Sequence, residues 1–201
     1  MLRISSNRGR GIRLIFDIPP WLERFLVLPV LWYRLIRYSY AFRRIPLSQG
    51  KFAIVDPDDY HRLAGFKWRL CRTKGKNVLY AERSIRLPNG KYSRILMHRR
   101  LIYVPDGYVI DHINGDGLDN RKANLRIATV AQNAWNSKKR NSASGYKGVW
   151  FDKNKRLWRA AIVCNRKRIH VGYFKNKLDA ANAYDNAARK YHKDFASLNF
   201  D

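Results

Sequence analysis

The sequence predicts an α+β chain made of small antiparallel sheets, each accompanied by a short helix. The turn Pro88-Asn89-Gly90 separates two strand-like runs and is typical of a β-hairpin. Thr129 and Gln132 have the spacing of a capping box, which starts a helix. Three more strand-like runs then precede Asn176, a residue type that caps helices. We therefore expect two sheet-and-helix regions, one before and one after residue 140.

The charge of the chain indicates a polyanionic partner. Its 201 residues include 41 Lys and Arg against 15 Asp and Glu, a net charge of +26. Such a charge opposes compaction unless a polyanion neutralises it, so nucleic acid is the leading candidate and an anionic membrane surface the second. The length allows one or two small domains, and a hydrophobic share of 46% suffices for packed cores.

Residues 1–44 have a different composition from the rest. An aromatic and aliphatic run at residues 21–40 contains Pro29 and is bracketed by charged residues, so it is too short to span a bilayer. No small-residue cleavage pattern follows, which argues against a signal peptide. Two interpretations stay open: an amphipathic surface helix, or a disordered extension that the fold does not need.

The two cysteines, Cys71 and Cys164, lie far apart in the sequence and form no Cys-x-x-Cys pair. A zinc ribbon is therefore excluded. Two free thiols fit a reducing compartment, so we expect an intracellular, cytoplasmic protein.

Residues 45–104 are predicted to be rich in β-structure. A short helix at residues 97–104 carries His98 and Arg99. His98 is a candidate phosphate contact, and a partly buried, hydrogen-bonded histidine is the alternative. The strand candidates are residues 52–55, 67–70, 78–81, 83–87 and 91–96.

Residues 108–136 carry the chemistry and are predicted to form a strand, a loop and a helix. Asp111 and His112 are adjacent in the strand, so their side chains point to opposite sides. Carboxylate and amide oxygens suit Mg²⁺ or Mn²⁺, and a histidine with a pKa near neutrality can take a proton from water. The set predicts metal-assisted cleavage of a phosphodiester. A calcium loop is excluded because the twelfth position counted from Asp111 is Lys122 instead of glutamate.

This stretch resembles the HNH endonucleases, in particular the homing-endonuclease branch of phages, over roughly residues 45–140. The resemblance is carried by Asp111-His112, by Asn124 twelve positions after the histidine, and by Asn133 nine positions later. It implies that His112 is the general base and that Asp111 and Asn133 hold the metal. Asn124 would tie the loop together and orient His112. Asn136 lies one helical turn after Asn133 and is the alternative ligand.

After a linker of small polar residues, 141–145, the chain changes character. Strand-like runs at residues 147–151, 157–164 and 169–174 lead to a helix from Lys177 to about Tyr191, capped by Asn176. Trp158, Ala160 and Ile162 alternate along the middle strand and are expected to pack on this helix, which leaves a basic face free. A twisted basic sheet can enter a DNA major groove, although a solvated charged face is the alternative.

This region, residues 146–201, resembles the DNA-binding domain of plant APETALA-type ethylene-response factors. The matching segments are Tyr146-Lys147-Gly148-Val149, Trp158-Arg159-Ala160-Ala161-Ile162, Val171-Gly172-Tyr173-Phe174, Ala180-Ala181-Asn182-Ala183-Tyr184-Asp185-Asn186-Ala187-Ala188 and Leu198-Asn199-Phe200. The base-reading positions differ, so the resemblance implies DNA binding without the plant target sequence. We expect the DNA contacts to come from His98, Arg99, Lys147, Trp150, Lys155, Arg156, Arg159, Arg168 and His170.

The sequence thus predicts a DNA endonuclease with a cutting domain at 45–140 and a DNA-holding domain at 146–201. One site per chain favours nicking, with double-strand cleavage only by a dimer, and the chain is expected to be a monomer or weak dimer without an obligate protein partner. The alternatives are a non-catalytic DNA-binding regulator and an RNA-binding protein, since phosphate contacts carry no base information.

Overall fold

A computed structural model of the chain describes residues 2–5, 13–16, 19–72, 78–137 and 143–200. Its contacts divide the chain into two compact units, Met1–Arg43 and Arg44–Asp201. The predicted linker at 141–145 lies partly outside the described residues.

The first unit contains one antiparallel strand pair and one helix. Strands β1 (Leu2–Ser5) and β2 (Arg13–Phe16) pair, and helix α1 runs over Pro20–Tyr38. A proline in the first turn suits α1 because that position needs no N–H donor. The helix ends at Ser39, whose backbone is left-handed. No helix in the described part of the chain is long and apolar enough to cross a bilayer.

The second unit begins with two small sheets around one core. Strands β3 (Arg43–Pro46) and β4 (Phe52–Val55) form a pair, and β5 (Arg69–Arg72), β6 (Leu79–Arg86) and β7 (Tyr92–Leu96) form an antiparallel sheet. Short helix α2 (Tyr60–Ala64) lies between β4 and β5, and short helix α3 (His98–Leu101) follows β7. The buried core consists of Ile45, Leu47, Ala53, Val55, Leu63, Trp68, Ala81 and Met97.

Strand β8 (Tyr108–His112) pairs antiparallel with β9 (Leu125–Thr129), and helix α4 (Val130–Asn136) follows at once. The predicted capping box is confirmed, because the Thr129 side chain accepts from the Gln132 N–H while the Gln132 side chain accepts from the Thr129 N–H. Strand β9 was not predicted, so the loop between Asp111 and the helix is shorter than expected. The loop is tied to β4, because Asn120 N–H donates to the Ile54 carbonyl at 2.7 Å.

The C-terminal region forms a three-stranded antiparallel sheet in the order β10 (Val149–Asp152), β11 (Leu157–Cys164) and β12 (Lys167–Phe174). Helix α5 (Lys177–His192) covers one face, and Asn176 caps it through the Leu178 N–H. Ala160 and Ile162 are buried under this helix with Trp158 beside them, as the alternation predicted. The mixed α+β class is therefore confirmed.

One glycine is required where the sheet begins. Gly148 has a φ of +71°, and a Cβ there would lie 2.1 Å from the Tyr184 ring. The absence of a side chain at this position lets α5 lie close to the sheet.

Candidate functional site

The carboxylate of Asp111, near the end of β8, is buried and accepts several hydrogen bonds. Asp111 is only 3% exposed. Arg126 on β9 donates from Nε to Oδ2 at 2.8 Å, and its Nη2 lies 2.8 Å from the same oxygen. Asn136 Nδ2 lies 3.0 Å from Oδ1 and 3.1 Å from Oδ2. The charge of Asp111 is thus compensated on one oxygen, while Oδ1 keeps acceptor capacity.

His112 points the other way, into a cluster of rings. Its ring centroid lies 5.7 Å from that of Tyr80 and 5.1 Å from that of His98. Tyr80 belongs to strand β6, and His98 is the first residue of α3. Burial lowers the pKa of His112, which keeps the ring neutral near pH 7. Its Nε2 is buried and has no hydrogen-bond partner among the described residues.

Asn120 is the polar neighbour that acts on the His112 ring. Its side chain is 1% exposed, and its Nδ2 donates to the Leu118 carbonyl. Its Oδ1 is buried without a partner of good geometry in the described part of the chain. An interaction of this amide with the imidazole raises the pKa of His112 and so opposes part of the effect of burial. Asn120 is therefore the amide that acts on the His112 ring in this structure, and the orientation of His112 by Asn124 stays a prediction.

Asn124 ties the loop together, as expected, through contacts with the loop itself. Its Oδ1 accepts from the Asn114 N–H at 3.0 Å, and its Nδ2 donates to Asn114 Oδ1 and to the Asp119 carbonyl. Asp119 is in turn held by Arg121, with an Nη2 to Oδ2 distance of 2.6 Å. Asn124 thus fixes the path of the loop, and no hydrogen bond joins its side chain to the His112 ring in the described structure.

The two candidate asparagines on α4 have different surroundings. Asn136 is buried, and its Nδ2 also donates to the carbonyl of His112 at 2.8 Å. With its N–H₂ group turned to these acceptors, its oxygen is turned away from Asp111. Asn133 is half-buried, and no side-chain hydrogen bond joins it to any other described residue. The structure therefore brings Asn136 to Asp111, whereas the side-chain amide of Asn133 makes no hydrogen bond to another described residue.

These residues fit a hard divalent cation. Asp111 Oδ1 and the side-chain oxygen of Asn133 are oxygen ligands of the kind that Mg²⁺ and Mn²⁺ bind. Within the described ranges, no three His, Cys, Asp or Glu side chains converge on one point. A cation at this site would need amide, phosphate or water oxygens to complete its coordination, which is the usual situation for Mg²⁺.

Two residues that were predicted to touch DNA have other partners. His98 is 5% exposed between Tyr80 and His112, and burial lowers its pKa to about 3, so it carries no charge for a phosphate. Lys147 donates from Nζ to the carbonyls of Trp135 at 2.5 Å and Ser137 at 2.8 Å. Lys147, which was expected among the DNA contacts, is therefore held at the end of α4, and its contact with DNA stays a prediction.

The outer face of the C-terminal sheet combines cations with aromatic rings. We name it the cationic row; it consists of Trp150, Lys155, Arg159, Arg168, His170 and Tyr173. Strand register places Trp150 opposite Arg159, and Arg159 opposite Tyr173. The Arg159 guanidinium lies 5.3 Å from the Trp150 ring centroid, and Lys155 Nζ lies 4.0 Å from that of Tyr173. Cations spread over ring faces are preorganised for a phosphate backbone.

Arg99 and Arg156, the remaining predicted contacts, are both exposed. Arg156 has a φ of +55° in the turn between β10 and β11, where it directly follows Lys155 of the cationic row. Arg99 follows His98 on α3, away from the cationic row in sequence.

Helix α4 and the C-terminal region are in direct contact. The rings of Trp135 and His192 stack at a centroid distance of 4.4 Å and an interplanar angle of 6°. Arg126 Nη1 donates to the Asp194 carbonyl at 2.6 Å, and its guanidinium lies 3.9 Å from the Phe195 ring centroid. The carboxylate of Asp111 and the C-terminal region therefore share one arginine.

Sequence reasoning missed the roles of Asn120, Arg126 and Tyr173. Asn120 and Arg126 lie within residues 108–136, the stretch predicted to carry the chemistry, but their sequence positions do not reveal their partners. Tyr173 lies in a segment noted only as Val-Gly-Tyr-Phe. Strand register is the signal that places it, since it lies beside Arg159.

Comparison with known proteins gives the same assignment as the motif. A family model described as HNH endonuclease matches residues 103–135. The chain is 33% identical over 94 residues to protein 3.8 of Escherichia phage T7, covering 46% of this chain and 77% of that protein. It is 25% identical over 158 residues to an uncharacterised HNH endonuclease of Acanthamoeba polyphaga mimivirus, covering 79% of this chain and 80% of that protein. The matched segment contains Asp111, His112, Asn124 and Asn133, and the chain therefore carries an HNH endonuclease domain, which makes it a DNA endonuclease.

Proposed function

We propose that this chain hydrolyses a phosphodiester of double-stranded DNA with His112 as general base and with a divalent metal, Mg²⁺ or Mn²⁺, held by Asp111 and Asn133. The observation that carries the proposal is the arrangement at the end of β8. There Asp111 and His112 are adjacent, buried and turned to opposite sides, so one can serve a metal while the other faces the reacting water.

His112 is suited to accept a proton because its ring is neutral. Burial lowers its pKa, and Nε2 has no hydrogen-bond partner in the described part of the chain. Tyr80 and His98 pack against the ring and restrict its orientation. A neutral imidazole held beside the scissile phosphate removes a proton from the attacking water.

Asp111 and Asn133 supply hard oxygen ligands. Asp111 is fixed by Arg126 on Oδ2 and by Asn136 on both oxygens, and Oδ1, which takes no bond from the arginine, keeps acceptor capacity for the metal. When bound, the metal supplies a Lewis acid that stabilises the charge of the phosphate and the departing 3′ oxygen. Asn136 holds the Asp111-His112 pair against α4, and Asn124 closes the loop that follows the pair.

The cationic row serves to capture DNA. Its four basic side chains lie over or beside aromatic rings on one exposed face, while α5 covers the other face. Each phosphate that such a row neutralises adds about −0.9 to the slope of log affinity against log salt. Capture by the sheet and cleavage at β8 are then two separable functions.

Incubation of the purified chain with supercoiled plasmid tests the proposal. With Mg²⁺ we expect open-circular DNA as the first product, because each chain carries one site, and no product in EDTA. His112→Ala should bind the plasmid as the wild type does and leave it uncut. The proposal fails if the wild type does not nick the plasmid in Mg²⁺ or Mn²⁺, or if His112→Ala nicks it at the wild-type rate.

A further inference from the structure

Arg126 lies between the metal-ligand carboxylate and the C-terminal region. On one side, its Nε and Nη2 are each 2.8 Å from Asp111 Oδ2. On the other side, its Nη1 donates to the Asp194 carbonyl at 2.6 Å. The Phe195 ring covers the guanidinium at 3.9 Å. The two partners on the second side belong to the turn that follows α5.

This turn is held near α4 by further contacts. His192 stacks on Trp135, and Lys147 Nζ donates to the carbonyl of Trp135. The place of Arg126 is therefore set by the C-terminal region as well as by its own strand. Arg126 donates from Nε to Asp111 and from Nη1 to the Asp194 carbonyl, so it cannot leave Asp111 without disturbing contacts on both sides.

We propose that Arg126 is a positioning residue through which the C-terminal region sets the metal affinity of the site. Its guanidinium acts as a built-in counter-ion on Asp111 Oδ2, and a divalent cation on the same carboxylate meets like charge at short range. The inference rests on the proposed role of Asp111 as metal ligand.

Loss of Arg126 would change the charge beside Asp111 more than the orientation of the Asp111 carboxylate. Without Arg126, Asp111 keeps the Asn136 contact to both oxygens and stays buried on β8. Its orientation is therefore largely preserved, whereas the positive charge beside it is gone. Metal binding should strengthen as a result.

Mn²⁺ binding to the full-length chain, measured by the paramagnetic resonance signal of free Mn²⁺ at low salt and without DNA, tests the inference. Arg126→Gln should bind Mn²⁺ about tenfold more tightly than the wild type, because a like charge near the cation is removed. Arg126→Lys keeps the charge and should bind within about twofold of the wild type. Equal or weaker binding by a folded Arg126→Gln overturns the inference.

Phe195→Ala isolates the contribution of the C-terminal region, because it frees Arg126 without removing its charge. It should tighten Mn²⁺ binding by about twofold to fivefold, since an exposed guanidinium is screened by water. Phe66→Ala is the matched control: its ring lies 3.8 Å from Arg83, far from Asp111 in sequence, and its loss should change nothing. If Phe195→Ala and Phe66→Ala bind alike, the link to the C-terminal region is overturned, and this result stands even if Arg126→Gln fails to fold.

Asp111→Ala separates the inference from the function on which it rests. It should abolish the Mn²⁺ binding seen in the wild type and in Arg126→Gln. Binding that survives Asp111→Ala removes the proposed metal site itself, as does a complete lack of binding in the wild type and Arg126→Gln. Loss of binding in Asp111→Ala together with unchanged binding in Arg126→Gln leaves the metal site intact and removes only the role of Arg126.

Discussion

The site at the end of β8 and the outer face of the C-terminal sheet use charge in opposite ways. Asp111 and His112 are buried, and each is fixed by specific neighbours within one short stretch of chain. Arg159 and Arg168 lie on an open face, and both guanidinium groups lie over the ring of Trp150. A buried network depends on each member, because an unsatisfied buried group is costly, whereas an exposed row distributes one electrostatic effect over several side chains. Single substitutions should therefore be severe in the first region and modest in the second.

The largest effect is expected for His112→Ala. Loss of a general base typically lowers the rate on the order of 10²–10⁴-fold. Single-turnover cleavage measures this loss, and a gel-shift assay in EDTA checks that DNA affinity is unchanged. A variant that keeps more than about a tenth of the wild-type rate would mean that another group takes the proton.

Asn133→Ala and Asn136→Ala should fail in different assays, although they are one helical turn apart. Asn133→Ala should raise the Mg²⁺ concentration needed for half-maximal cleavage, with little change in thermal stability. Loss of a residue that only hydrogen-bonds to a metal ligand lowers affinity roughly 10–100-fold, so loss of a ligand itself should cost at least as much. Asn136→Ala removes a buried donor from Asp111 and from the His112 carbonyl, so it should cost about 1–3 kcal/mol of unfolding free energy and keep metal-dependent cleavage.

Metal-titrated cleavage and thermal unfolding of both variants decide between the two asparagines. An inactive Asn136→Ala beside an active Asn133→Ala would move the metal ligand one turn along α4.

Sequence reasoning identified much of the site because its residues are local in the chain. Asp111 and His112 end strand β8 and Asn124 lies in the loop that follows, so their spacing in the chain predicted that they lie close together. The partners of Asp111 were not deduced, since Arg126 depends on the pairing of β8 with β9 and Asn136 on the packing of α4. Strand β9 was missed because it spans only five residues, its buried positions do not alternate, and it runs directly into the capping box.

The C-terminal region shows the same limit for tertiary contacts. Its strands, its capped helix and the inward face of Trp158, Ala160 and Ile162 followed from local periodicity. Lys147 was placed on the free face because its position in the strand run gave no hint of α4. Its partners, the carbonyls of Trp135 and Ser137, lie 12 and 10 residues away across a segment with no periodic pattern.

A smaller effect is expected for Arg159→Glu combined with Arg168→Glu. Reversal of two charges in the cationic row should weaken duplex binding at low salt and reduce the slope of log affinity against log salt by about 2. Lys177→Glu with Lys190→Glu makes the same charge change on exposed positions of α5 and serves as the control. Equal losses in the two double variants would show that total charge, and not the cationic row, captures DNA.

The smallest effect concerns Lys147 and pH. Burial lowers the pKa of Lys147 from the ordinary 10.5 to about 8, so between these values the unfolded chain holds a proton that the folded chain has released. Because stability rises with pH wherever the unfolded state binds more protons, the unfolding free energy should gain from Lys147 between about pH 8 and 10. The contribution of Lys147 is the unfolding free energy of the wild type minus that of Lys147→Met, measured by denaturation at each pH. A difference that stays flat or falls over this range would contradict the prediction.

Single-turnover cleavage measured over a wide range of enzyme concentration tests the division of labour most directly. The Arg159→Glu/Arg168→Glu variant should cut slowly at low concentration and approach the wild-type rate at saturation, because only capture is impaired. His112→Ala should stay slow at every concentration. A double variant that remains slow at saturation, or a His112→Ala variant that recovers, would show that the buried site and the cationic row do not divide cutting from holding.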